Sequence, residues 1–450
     1  MQRLRHRRRT PGVLVPLLVT AGLLLSGCAR PAVGSAEDDP TRPVTLRFWH
    51  GWSDRNEVAA VDAAIARFER RHPNIRVVTT GNVTDDTVNQ ALRAGGGIAP
   101  DVVSSFTTDN VGQYCSSGMW ADLDPFLRKS GLDKTAVFPG TLLGYTSYRG
   151  RQCALPLLAD AYGLYYNLDA FEEAGITRPP RTMSEFKEAA VKLTRRTAGG
   201  SYEQLGYMPG FRFYENSPDR LFAQWAPTYF NADGTSRLAR EPATEQFFRF
   251  QRGLVTALGG YTPLERFRTT FGAEMSAQNA FRTGKVAMHL DGEWRGRMLK
   301  EDGADFRWGT APMPVPDDRA DAYGRGFLTG TVVGIAHSSR HQNAAWELVR
   351  FLTTDTDQVV AFANAIHNVP STKAALASPA LDADPAFRTF VGIAADPHSV
   401  SMPPSANGGM YLQALKDFAY DSEAGRVPDL GRGLRRLDRR IDADTRQSAD

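Results

Sequence analysis

Apolar positions recur along this chain with two periods, and the alternation between them outlines its folded part. Val44-Thr-Leu-Arg-Phe-Trp49 alternates and ends in aromatics, which predicts a strand. A short polar loop, His50-Gly-Trp-Ser-Asp54, follows. Val58, Val61, Ile65 and Phe68 then repeat at i, i+3, i+7 and i+10, the spacing of one helix face. His72-Pro73-Asn74 stops that helix, and residues 75–80 predict a second strand. Strand, helix, strand is the opening of an α/β lobe. A further helix is expected around residues 88–92, a break at Gly95-Gly-Gly, and a short strand at 101–106. Thr182-Met-Ser-Glu185 has the form of a capping box, with the hydroxyl accepting from the Glu185 amide and the carboxylate reaching back. The helix it starts carries Phe186, Ala190 and Leu193. Residues 344–352 predict another helix. Leu430, Leu434, Leu437 and Ile441 define the apolar face of the last one, whose arginines and aspartates form a solvated face. No internal repeat interrupts the pattern.

The N-terminus follows a different rule. Five arginines in the first nine residues precede an apolar stretch over 13–25, which ends at Leu25-Ser26-Gly27-Cys28. That stretch is too short to span ~30 Å of hydrocarbon and reads as the core of a signal peptide, residues 1–27. Leu-Ser-Gly-Cys resembles the bacterial lipobox, which implies cleavage before Cys28 and a lipid on its thiol. A plain secretory signal with an incidental cysteine is the alternative. Residues 28–43 have no hydrophobic period and form a lipidated flexible tether.

Cleavage changes the electrostatic picture. The 53 basic residues lose five and become 48, against 50 acidic, so the formal charge of +3 becomes −2. A nucleic-acid partner is therefore not expected. No later segment has the continuous hydrophobicity of a second membrane span. Removing 27 of 450 residues leaves 423, beyond the ~250–300 at which single cores divide, so two lobes are expected. Cys115 and Cys153 remain. Outside the cytoplasm such a pair oxidises, and closing a loop of nearly forty residues adds roughly 3–4 kcal/mol in the chain-entropy picture. Two buried free thiols are the alternative.

Six segments resemble one family in the right order. They are Thr45-Leu-Arg-Phe-Trp-His-Gly-Trp52 with His72-Pro-Asn-Ile75; Ala99-Pro-Asp-Val-Val103; and Leu155-Pro156 with Gly163-Leu-Tyr-Tyr-Asn167, Phe171 and Ala174-Gly175. Then come Ala280-Phe281 with Gly284-Lys285 and Gly292-Glu-Trp294; Gly309-Thr-Ala-Pro-Met-Pro314; and Gly334-Ile335 with Ala344-Ala-Trp346 and Phe351-Leu352. Together these resemble the bacterial extracellular solute-binding proteins that deliver sugars to ABC importers, the maltose-binding-protein-like group. The resemblance implies an α/β, two-lobed periplasmic-binding-protein-like fold with hinge strands and an interlobe ligand cleft. Crossings are expected near residues 156–162, 312 and 367. One lobe would comprise 44–158 and 313–366, the other 159–312 and 367–450. The implied partners are a carbohydrate, the permease subunits of an ABC transporter and, through Cys28, the membrane outside the cytoplasm. A monomer is expected, with no cofactor and no metal.

A sugar offers a C–H face that packs on an aromatic ring and a hydroxyl rim that needs donors and acceptors, carboxylates being the stronger acceptors. On the family's pattern the candidates are His50 and Trp52 in the first strand-to-helix loop, although Trp52 also suits a helix cap. Phe106, Asp109 and Asn110 follow the third strand, where Asp109 equally suits an N-cap. Asp160 and Tyr162 lie in the first crossing. Trp294 stands where the family places a stacking aromatic, and Glu293 stands where the family often has proline. Tyr214 and Trp225 lie where the resemblance fades. His367, in the third crossing, and Tyr411, near the C-terminus, complete the set.

Two rivals remain at this point. A glycoside hydrolase needs two carboxylates flanking a bond, and Asp291 and Glu293 are two apart. No Gly-x-Ser-x-Gly, phosphate loop or His-Glu-x-x-His occurs, and His337 and His341 have no third ligand. A non-sugar cargo such as a glycerophosphodiester needs convergent bases. The candidate loops are richer in acids and aromatics, although Arg212 or Arg325 could turn inward.

Overall fold

The computed structural model describes residues 39–447, apart from 40 and 96–98. The signal segment, Cys28 and most of the tether lie outside the described residues.

Two sheets organise the chain. In the first, Val44–Trp49 pairs in parallel with Ile75–Thr80 on one side and with Val102–Ser105 on the other. Val332–Ile335 adds antiparallel to Val102–Ser105, and Leu155–Pro156 closes the edge. The helix Arg55–Arg71 buries Val61, Ile65 and Phe68 at the predicted spacing. These meet Trp346, Phe351 and Phe362 from later helices in one core.

The second sheet runs in the order Trp308–Ala311, Leu158–Asn167, Val286–Gly292, Tyr202–Tyr207, Arg195–Arg196. Its core takes in Phe171, Phe186, Phe247, Phe248 and the face Leu430, Leu434, Leu437 and Ile441 of the last helix. At Thr182 the hydroxyl accepts from the Glu185 amide as expected. The Glu185 carboxylate reaches back and is shared with the Arg178 guanidinium and the Arg181 amide, and those bonds pull it down to about 2.

The ten-residue strand Leu158–Asn167 joins the two halves. Its second half lies in the second sheet, between Val286–Gly292 and Trp308–Ala311. Its first half pairs with Leu328–Thr329 and with Val369–Pro370, so three crossings lie side by side. It is buried nearly throughout, with Asp160 and Tyr166 its partly exposed positions. Gly330 (φ 156°) lets the crossings touch, because a Cβ there would lie 2.2 Å from the Leu158 carbonyl oxygen.

The second crossing falls later than residue 312. Met313 and Phe327, expected in the first lobe, pack in the core of the second sheet, and the chain enters the first sheet only at Val332. Sequence marks the Pro-rich segment after Ala311 as a break, but only pairing shows where the chain changes sheets. Cys115 and Cys153 are joined as a disulfide, Cα–Cα 5.6 Å, tying the helix Asn110–Ser116 to the segment that leads into the crossings. Among the described residues no helix is long and apolar enough to cross a membrane, and no cluster suited to a metal occurs.

Candidate ligand-binding site

The crossings place a group of polar and aromatic side chains beside the hinge. Along Leu158–Asn167, Asp160 and Tyr162 are two apart and face the same side. Asp160 lies opposite Thr329 and accepts from the Asn368 amide at 3.1 Å. Tyr162 lies opposite Gly292, two residues before Trp294. A Cβ on Gly292 would sit 2.2 Å from the indole, so glycine is what lets Trp294 fold back over the strand end. The indole meets the Tyr162 ring edge-on at 5.5 Å. Phe327 packs on Tyr162 from the second crossing, and the Arg220 guanidinium lies 4.5 Å over the same ring. Arg220 is also paired with Glu215.

Buried polar atoms without partners cluster here. Glu293 is 1% exposed; one carboxylate oxygen accepts from the Ala161 amide at 3.0 Å, and the other has no partner. Trp294 Nε1, Asn368 Oδ1 and Arg220 Nε are likewise buried and unpaired. Such groups each cost about 1–3 kcal/mol until something satisfies them. Burial, then the charge of Asp160, drives the Glu293 carboxyl well above its ordinary range; burial also raises Asp160.

Across the cleft, Asp109 heads the helix Asn110–Ser116 but its side chain does not cap it. Burial and then the negative charge of Asp219 push Asp109 up to about 6, with Lys416 and Arg220 opposing. This edge is tightly closed. A Cβ at Gly409 would lie 2.8 Å from the Asp109 Cβ, and one at Gly112 would lie 2.3 Å from the Ser405 carbonyl oxygen. Asn110 lies against the same segment, near Gly408. Phe106 is 46% exposed and stands over Gly51.

The structure places the other expected contacts against protein neighbours. Trp52 is buried between Phe106 and Phe362, at 5.4 and 5.3 Å, in the first core. His50 is buried beside it, at 5.7 Å, and burial lowers its proton affinity. Trp225 packs on Phe247 and Phe250 in the second core. Tyr411 is buried with Tyr229 and Phe230 and donates to the Pro403 carbonyl at 2.7 Å. Tyr214 stacks on Phe213 and spends its hydroxyl on the Gly272 carbonyl and the Ala280 amide. Large aromatic surface gains most from full burial, and loop position alone does not reveal which rings obtain it. His367 takes a left-handed backbone at the end of the helix Thr356–Ile366 and packs on Phe387 at 4.7 Å. Its neighbour Asn368 is the residue that reaches Asp160.

Arg220 and Asn368 are the two side chains that sequence reasoning misses. Ser217-Pro218-Asp219 signals a helix start but not which of the nearby arginines turns inward. Behind the cleft, Asp291 accepts from Arg295 Nε at 2.6 Å and lies 2.9 Å from His289 Nε2. Against the pull of burial, those partners hold Asp291 below its ordinary range. Glu274, 3.6 Å from Arg295, is pushed up to about 8 by burial, Asp291 and Glu215. Asp291 is locked in this network and Glu293 is bound to the crossing strand, so the two do not flank an open site as a hydrolase pair must. What the cleft offers is an aromatic edge, carboxylates and orphaned donors: binding chemistry for a polyhydroxylated molecule.

The sequence profile of the family described as bacterial extracellular solute-binding protein matches residues 63–389. A binding protein of Brucella abortus is 29% identical over 218 residues, 48% of this chain and 50% of the relative, so the chain spans about half the length of that relative. A maltotriose-binding protein of Pyrococcus abyssi is 24% identical over 80% of this chain and 74% of its own length. The sn-glycerol-3-phosphate-binding periplasmic protein of Escherichia coli K12 is 29% identical over 70% of each chain. Among solved structures, a sugar-binding protein of Xanthomonas citri superposes with TM-score 0.73 at 20% identity, covering 90% of this chain and 98% of the other. A cyclic α-maltosyl-1,6-maltose binding protein of Arthrobacter globiformis gives 0.70 at 21%, covering 90% and 100%. At these identities the superpositions establish the fold, two lobes around a cleft.

Proposed function

The chain belongs to the bacterial extracellular solute-binding protein family, a family of binding proteins that work outside the cytoplasm, and from that premise we propose that it captures a neutral mono- or oligosaccharide between its lobes. It delivers the sugar to the permease subunits of an ABC transporter and performs no chemistry on it. Cys28 carries the lipid that keeps the receptor at the membrane. Ligand stabilises the closed arrangement, and closure is what the permease recognises.

One observation carries the sugar reading: the hinge-side group in which Trp294 meets Tyr162 beside Asp160, with Trp294 Nε1, Asn368 Oδ1 and Glu293 Oε1 buried and unpaired. A sugar's C–H face suits the indole, and its hydroxyls, each donor and acceptor, suit orphans of both kinds. Relatives support the class, since one is named for maltotriose and one neighbour for a cyclic maltosyl sugar.

A phosphate ester is the second reading, favoured by the inward turn of Arg220 and by the glycerol-3-phosphate relative. Glu215 already neutralises Arg220, and Asp109, Asp160 and Asp219 would repel a dianion. A thermal-shift screen separates the two, because a ligand bound only by the folded state raises Tm. Neutral mono-, di- or trisaccharides should raise it and sn-glycerol 3-phosphate should not. The reverse result would replace the sugar reading with the second.

A further inference from the structure

The C-terminal helix Leu430–Gln447 divides its side chains between two faces. Leu430, Leu434, Leu437 and Ile441 are buried in the second core. Arg432, Arg435, Arg436 and Arg439 repeat at i, i+3, i+4 and i+7, one stripe down the opposite face, and all four are exposed. Many surface arginines of this chain sit against a carboxylate: Arg71 with Asp355, Arg178 with Glu185, Arg307 with Asp169, Arg426 with Asp421. Arg435, Arg436 and Arg439 have no such partner among the described residues. Arg432 shares Asp429 at 3.5 Å, and that same aspartate is held low by the Arg432 amide and by the charges of Arg432, Arg435 and Arg436. Three guanidiniums, those of Arg432, Arg435 and Arg436, thus act on one exposed acid, and Arg439 extends the stripe by a further turn.

We propose that this stripe rests on the anionic phospholipid headgroups of the membrane to which the chain is anchored, and so fixes the face the receptor turns toward the bilayer. The proposal rests on the anchoring part of the proposed function. The stripe runs along about 10 Å of exposed helix, a line of charges suited to a planar array of phosphates rather than to a single small anion. Guanidinium forks pair with phosphate oxygens in bidentate fashion. Residues 28–38, between the lipidation site and the first described residue, reach at most about 35–40 Å when extended. An anchored body therefore never leaves the neighbourhood of the headgroups, and even weak contacts there are favoured by high effective concentration. Each basic residue near an anionic surface strengthens partitioning roughly fivefold at moderate salt.

The test uses the mature chain carrying Cys28→Ser, so that no lipid carries it to vesicles. It should co-sediment with vesicles containing phosphatidylglycerol, not with phosphatidylcholine alone, and high salt should release it. The triple variant Arg435→Gln, Arg436→Gln, Arg439→Gln should lose about a hundredfold in partitioning by the same per-residue factor. Its circular dichroism and sugar-induced thermal shift should be unchanged, which separates failure of docking from failure of folding or of sugar capture. Equal binding to neutral and anionic vesicles, or undiminished binding by the triple variant, overturns the proposal. So does capture of purified permease through these arginines without vesicle binding, which would assign the stripe to an acidic protein face. Mass analysis of Cys28 in the wild-type chain tests the anchor independently.

Discussion

Replacing Trp294 with alanine probes the sugar site at its aromatic edge. A buried tryptophan covers about 150–250 Å², so one indole face against a sugar is worth about 80–100 Å². At about 25 cal/mol per Å² that stacking contributes roughly 2 kcal/mol. Nε1, buried and without a protein partner, gains a hydrogen bond worth about 1 kcal/mol when a hydroxyl arrives. The sum, about 3 kcal/mol, is a loss of roughly 150-fold in Kd. Trp294→Phe keeps most of the ring face and loses only the N–H, so about fivefold is expected. Trp294 is only half-buried and meets Tyr162 through one edge contact. Truncation should therefore cost the fold no more than about 1–2 kcal/mol. Calorimetric titration of wild type and both variants with the best sugar from the thermal screen gives the comparison. A Trp294→Ala protein that binds within threefold of wild type would refute the stacking argument.

Four further outcomes follow from the geometry. Asp109, raised from 3.8 to about 6, contributes stability that is complete below about pH 4 and lost as pH rises through 6. Asp109→Asn should flatten that part of the Tm–pH curve and raise Tm at pH 7.5; an unaltered curve contradicts the assignment. Trp225→Ala should cost about 3–5 kcal/mol in denaturant unfolding while the folded fraction keeps its sugar affinity; a selective loss of affinity would return Trp225 to the site. Opening the Cys115–Cys153 loop, 38 residues in sequence separation, should lower stability by about 3–4 kcal/mol, read as a lower Tm under reductant; two alkylatable thiols in the untreated protein would refute the bridge. Gly330→Ala, with a positive φ and a Cβ 2.2 Å from the Leu158 carbonyl oxygen, should destabilise by more than about 1 kcal/mol; wild-type stability and affinity together would refute the close contact between the crossings.

Local elements were legible in the sequence because each followed from a short-range rule. The strands Val44–Trp49 and Ile75–Thr80 and the face Val61, Ile65, Phe68 fall where the periods put them. Long-range pairing was not legible. The second crossing depends on the register of Leu328 opposite Ala161, for which residues 312–327 carry no signal. The same limit applies to the site. Asp160, Tyr162 and Trp294 could be named because they flank a crossing or end a strand. Trp225 and Tyr411 look identical to them in sequence and, like Tyr162, are buried in the second core. What differs is the neighbours, Phe247 and Phe250 for Trp225 and Tyr229 and Phe230 for Tyr411, where Tyr162 has Trp294 and Arg220. Arg220 escaped because an arginine beside a helix start is ordinarily solvated. Only the fold brings it over the Tyr162 ring and against Glu215.

The central claim is that the cleft holds an intact neutral sugar. Titration of the purified mature chain with neutral mono-, di- and trisaccharides, followed by mass analysis of the recovered ligand, tests it directly. The account predicts saturable one-to-one binding of at least one neutral sugar, recovered unchanged. Cleavage of the sugar, or binding of sn-glycerol 3-phosphate with no neutral sugar bound, would contradict it.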